Sequence, residues 1–166
     1  MLANGCAGVA ADPIFDSSVK NDPMEVVVAQ VSSVDVVESF WRDVWNGRNP
    51  DAVDDYVVED FVITNAGERI EGRENFKAWI AAFLEQVHDL RLEVVETFQN
   101  HDGSRVASRW RVYGRNNGVL GTEPDGRPIS FTGTAVWEVR EDGKLLHNHV
   151  ERASWELFQR LSAPSA

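Results

Sequence analysis

His147, His149 and Glu151 stand at every second position of the segment HNHVER, so on a strand all three point to one side. A neutral imidazole takes or gives a proton near pH 7, and a carboxylate beside it orients it or shares its proton. Three such groups on one face are the makings of a general acid–base set. The same alternation puts Asn148, Val150 and Arg152 on the other face. A shift of one residue exchanges the two faces, so periodicity alone leaves open which one is turned inward. Two histidines at this spacing with a carboxylate also have the donor types of a zinc or iron site. The expectation adopted is an acid–base set and no metal.

Other residues of interest are more scattered. Asn65 follows the short apolar segment FVIT and has either a substrate carbonyl or a turn before Gly67 to serve. The segment SRWRVYG alternates, with Arg109, Arg111 and Tyr113 on one face and Ser108, Trp110 and Val112 on the other. Arginines on such a face commonly pair with glutamates of a neighbouring strand, and RLEVVE supplies them. The six tryptophans suit a core, an interface or the walls of a pocket for a flat apolar ligand. No phosphate-binding glycine loop, nucleophile elbow or paired CxxC occurs, which argues against ATP, NAD and covalent serine chemistry.

The elements that must position these residues come from periodicity. SSVDVVESFWRDVWNGRNP reads as a helix, capped by Ser32 or Ser33 with Asp35 placed for a capping box, and stopped by Gly47. Pro50 opens a short helix, PDAVDDYV. EDFVITNA reads as a strand, and GERIEG as a turn with a small strand piece. GRENFKAWIAAFLEQV carries a one-sided apolar stripe and is the clearest helix. From residue 90 the period changes to two. LRLEVVETF, SRVASRWRVYG, ISFTGTAVWEVR and LLHNHVERASW make a four-stranded antiparallel meander, followed by a short helix, SWELFQRL. Helices followed by an antiparallel sheet predict an α+β cone, a curved sheet wrapped around the N-terminal helices with a central pocket.

With 166 residues, 43% hydrophobic and 26% charged, the chain suits one domain over residues 32–162, with a flexible leader over 1–31 and a tail over 163–166. The net charge of -11 argues against nucleic acid and anionic membranes. There is no run of about 20 apolar residues to span a bilayer. The single cysteine, Cys6, allows no intrachain disulfide and fits a reducing cytoplasm.

Four stretches together resemble the nuclear transport factor 2-like fold, and within it the SnoaL-like polyketide cyclases: NPDAVDDYVVEDFVI, IEGRENFKAWIAAFLEQVHDLRLEV, YGRNNGVLGTEPDGRPISFTG and DGKLLHNHVERASWELFQRL. The resemblance covers about residues 33–162. It implies a cofactor-free small-molecule enzyme, a cyclase or isomerase of secondary metabolism acting on a hydrophobic polyketide- or terpenoid-like substrate, and a homodimer through the outer sheet face. Epoxide hydrolase, dehydratase and a non-catalytic binding or dimerisation module are the alternatives. The chain departs from the cyclases where chemistry is concerned. Asn116 aligns with their loop histidine, Ala153 with the acid between last strand and last helix, and His147 and His149 with their E-x-W pair. An enzyme here would use His147, His149 and Glu151 as catalytic groups. Asn65, Tyr113, Asn116, Trp110 and, by analogy, Tyr56 would contact the substrate.

Overall fold

The computed structural model describes residues 31–163. Apart from their boundary residues, the expected leader and tail lie outside the described residues. Ser32 caps helix α1 (Ser33–Phe40): its hydroxyl accepts from the Asp35 amide, and the Asp35 carboxylate accepts from the Ser32 amide, both at 3.1 Å. This is the reciprocal box foreseen from the sequence. The helix does not continue regularly. It widens into a π-helical turn, Trp41–Asn46, which buries Trp41, Val44 and Trp45 together. Gly47 ends it, because a side chain there would overlap the Asp43 carbonyl. Pro50 then starts a 3-10 turn, Pro50–Asp55, that buries Val53.

The sheet has six strands: β1 (Val57–Asn65), β2 (Glu68–Glu71), β3 (Val87–Gln99), β4 (Arg105–Asn116), β5 (Pro128–Val139) and β6 (Leu145–Arg152), with α2 (Arg73–Gln86) between β2 and β3 and α3 (Ser154–Ser162) at the end. Their spatial order is β2-β1-β6-β5-β4-β3. The meander from β3 to β6 is the one the alternation predicts. The first strand joins it by pairing parallel with the last, Ile63 opposite Asn148 and Asn65 opposite Val150. No local pattern announces that pairing, because its partners lie more than 80 residues apart. Register shifts in β3 between His88 and Arg91 and between Val94 and Glu96 mark bulges that bend the longest strand.

The curved sheet stays open, and its concave face holds the core. Trp137 on β5 is fully buried and meets Phe40 and Trp41 edge to face, with centroids 5.0 and 5.3 Å apart. Phe61 and Phe76 pack beside them at 4.8 Å. Within this apolar layer Ser108 is fully buried and accepts the Trp41 indole N–H at 3.1 Å, so neither group is left unpaired.

Tyr56 lies at the foot of β1, packed edge-on against Phe40, and donates a very short hydrogen bond to the Asp43 carboxylate. Burial, then the bond to Asp43, pushes its phenol up to about 12. The folded value is the raised one, so this contribution to stability is intact below the unfolded value of 10.0 and is lost as pH rises towards 12. Denaturation at pH 9 and pH 11.5 should therefore show a loss of stability at high pH that is smaller in Tyr56→Phe.

A candidate small-molecule site on the concave face

Strand β6 has neighbours on both sides, and both agree on its facing. Asn148 lies between Ile63 of β1 and Trp137 of β5, and Val150 between Asn65 and Ala135. Asn148 and Val150 are buried at 2% and 6% exposure, on the concave side with Ile63, Trp137 and Ala135. Arg152 continues that face, opposite Gly133.

These residues form one wall of a cavity of about 30 Å³. Trp41 and Trp45 come from the π turn, Phe76, Trp79 and Phe83 from α2, Trp110 and Val112 from β4, and Phe131 from β5. That volume admits ordered water. A drug-sized ligand needs about 300 Å³ or more. Trp79 is only half-buried and sits at the Arg152 end, so it is the wall best able to move. Gly133 belongs to the same construction. A Cβ there would overlap the Trp110 indole, which lies flat across the glycine.

The cavity is greasy but not without polarity. Arg152 Nε, Trp45 Nε1, Trp110 Nε1 and Asn148 Oδ1 are all buried on lining residues and lack a hydrogen-bond partner. Asn65 Oδ1 is in the same condition, one step along β1 from Ile63. Native proteins leave few such groups unsatisfied, and those that remain commonly await water or a ligand. Arg152 is the most unusual of them. Its guanidinium lies 5.4 Å from the Trp79 ring centre and 5.1 Å from that of Phe83. Burial lowers its pKa from the ordinary value, and among the described residues no acidic group offsets that. Cation–π contact returns about 0.5–2 kcal/mol. An ion taken fully out of water loses several kcal/mol, and this half-buried one loses part of that. Among the described residues no carboxylate pairs with this guanidinium.

The expected catalytic strand face is turned the other way. His147, His149 and Glu151 lie on the outer face of the sheet, because the buried Asn148 and Val150 take the inner positions. The His147 ring shares a hydrogen bond of 2.9 Å with Thr64 and stacks on His149, with centroids 4.0 Å apart. Burial, then the neighbouring His149, lowers the pKa of His147. Glu151 is exposed. Tyr113 is also on the outer face, under the Arg91 guanidinium at 4.6 Å. Arg109 pairs there with Glu96 at 2.6 Å, a cross-strand pairing with the RLEVVE segment.

Asn116 is buried, but its amide is spent on the loop after β4. It donates to Glu123 and Asp125 and accepts from Gly118, Val119 and Thr122, leaving nothing for a substrate. Tyr56 is absent from the cavity wall. Of the residues expected to contact a substrate, Trp110 lines the cavity and Asn65 faces its side of the sheet. Trp45, Trp79 and Phe83 are walls that appear in the sequence only as parts of helical apolar stripes.

Comparison with known proteins agrees with this architecture. The sequence matches the SnoaL-like domain over residues 37–148. The chain belongs to the SnoaL-like family. Its fold is similar to that of a protein from Jannaschia sp. CCS1 assigned as a SnoaL-like polyketide cyclase, with 19% identity, a TM-score of 0.73, and 80% of this chain covering 93% of that one. TsrD from Streptomyces laurentii is similar at 22% identity and a TM-score of 0.69, over 80% of this chain and 96% of its own. An LEH-like epoxide hydrolase from M. tuberculosis is similar at 18% identity and a TM-score of 0.60, over 78% and 84%. These identities speak for a shared fold. No curated protein matches the sequence.

Two substitutions test how this SnoaL-like cavity is built. Gly133→Ala should displace the Trp110 indole and cost about 1–3 kcal/mol, read by denaturant unfolding. Arg152→Met removes the uncompensated cation and should raise stability by about 1 kcal/mol, the sign expected of a residue kept for function.

Proposed function

We propose that the protein binds, in its concave cavity, a hydrophobic polyketide-like molecule carrying an anionic or enolisable oxygen, and that Arg152 is its counter-charge. The observation that carries this reading is the half-buried Arg152 guanidinium, lying beside Trp79 and Phe83 with no acidic partner among the described residues. A planar enolate fits both features. Its oxygen would meet Arg152 Nε, and its apolar body would lie against the indoles.

In the catalytic form of the proposal the reaction is a cofactor-independent cyclisation or isomerisation through that enolate. A cation preorganised where negative charge develops, in an apolar site, lowers the barrier without being consumed. Among the described residues the cavity lining includes no carboxylate and no imidazole. The proton must then leave to water, which restricts the substrate to an acidic carbon such as that between two carbonyls. The same lack of a base favours a second reading, a pocket that binds such a molecule and does not turn it over. The expected homodimer also belongs to this proposal, supported by the exposed apolar Phe98 and Val136, which lie on either side of Ala107 in register on the outer face. So does a cytoplasmic location, which rests on the single cysteine. Among the described residues no helix is long and apolar enough to cross a membrane.

Tryptophan fluorescence with a matched pair of probes tests the binding step. The dimedone enolate should bind at least about tenfold more tightly than its neutral O-methyl enol ether. Arg152→Gln should abolish that difference while leaving the ether unchanged. Equal binding of both probes by the native protein contradicts the proposal. Deuterium uptake at the central carbon of an acetoacetate ester separates the two readings. Acceleration lost in Arg152→Gln supports catalysis, and binding without acceleration supports the non-catalytic form.

A further inference from the structure

The outer face of the sheet carries a second group of side chains that the concave cavity does not use. Glu138 of β5 stands directly opposite His147 of β6, and His149 follows two residues on along the same face. One donor atom from each of the three lies within 4.8 Å of the others. The two imidazoles stack nearly parallel, 18° apart with centroids 4.0 Å apart, so one ring must turn before both nitrogens aim at a single ion. We propose that Glu138, His147 and His149 form a binding site for a divalent transition-metal ion. The donors come from two adjacent hydrogen-bonded strands, so their backbones are already fixed.

The chemistry decides the class of ion. Two imidazole nitrogens and one carboxylate oxygen suit zinc, nickel or copper, and are poor for magnesium or calcium, which prefer an all-oxygen shell. Tetrahedral zinc with bonds of about 2.0–2.1 Å places its ligand atoms roughly 3.3 Å apart. Closing from 4.8 Å to that distance would be taken up by side-chain rotation, the turn of one imidazole included. Thr64 already holds the His147 ring through Nε2, at 2.9 Å. A hydroxyl in that position is the kind of partner that orients metal-binding imidazoles. Three protein ligands leave at least one coordination position for water or a small anion.

Two charges work against the ion. Arg105 pairs with the Glu138 carboxylate at 3.1 Å, and Arg69 and Arg105 both act on His147. Arg105 must share or release Glu138 when a metal binds. This gives the site a signature that an ordinary polar surface lacks, since removing Arg105 should strengthen binding.

The test is calorimetric titration of the metal-stripped, untagged full chain with zinc and with nickel, and the absorption spectrum of the cobalt form. One ion per chain is expected. His147→Ala and His149→Ala should each weaken binding at least tenfold, and Glu138→Gln several-fold. Arg105→Gln should tighten it several-fold, and His101→Ala should leave it unchanged. His149 is exposed, so His149→Ala keeps the fold, and a thermal melt checks each variant. The proposal is overturned if the native chain and the His147→Ala/His149→Ala double variant bind equally. It is likewise overturned if Cys6→Ser, rather than either histidine change, removes binding. Neither result bears on the Arg152 cavity, whose probes are read separately.

Discussion

Strand β6 is hydrogen-bonded on both edges, parallel to β1 and antiparallel to β5, and the chemistry of the molecule follows from that. Each neighbour fixes the register independently: both place Asn148 and Val150 on the concave side, and β5 carries Arg152 with them. A slip of one residue would expose Val150, bury two imidazoles, and swing a buried arginine into water. The strand keeps its register because Ile63, Trp137 and Ala135 already line the inner face beside it. Apolar burial there, at about 25 cal/mol per Å², outweighs any preference of the polar groups.

Given that register, Arg152 becomes a cation with aromatic walls and no anionic partner among the described residues. The fold tolerates it through two cation–π contacts and partial access to water. The indole N–H groups of Trp45 and Trp110 and the Asn148 carbonyl oxygen are unpaired on the same walls. A ligand bringing one negatively charged oxygen would give the indole N–H groups and Arg152 Nε the acceptor they lack, whereas Asn148 Oδ1 needs a donor. The wall of α2, with Trp79 half-exposed, is where the cavity must open to admit it.

Much of the architecture is legible in the sequence. The capping box at Ser32 and Asp35, the stop at Gly47, helix α2 and the four-strand meander each rest on local patterns, and local patterns survive folding. The Arg109–Glu96 pair is legible for the same reason, as opposite charges on neighbouring strands. The faces of β6 are not legible, because HNHVER carries polar residues at both alternating sets of positions. The pairings of β6 with β5 and β1 settle the matter. Asn116 illustrates a different obstacle. The family resemblance implies a histidine at its position, but its side chain is taken up by five loop hydrogen bonds that no sequence pattern displays. The π turn is hidden too, since its residues fit a regular apolar stripe equally well.

The two faces of one strand thus hold two different kinds of chemistry, an arginine among aromatic rings inside and an imidazole pair outside. The central claim is that the inner one receives the ligand. A crystal structure of the protein with the dimedone enolate tests it most directly. The account predicts the enolate oxygen within hydrogen-bonding distance of Arg152 Nε, its ring against Trp110, and Trp79 displaced. An enolate bound instead beside His147 and His149, with the concave cavity unchanged, would contradict it.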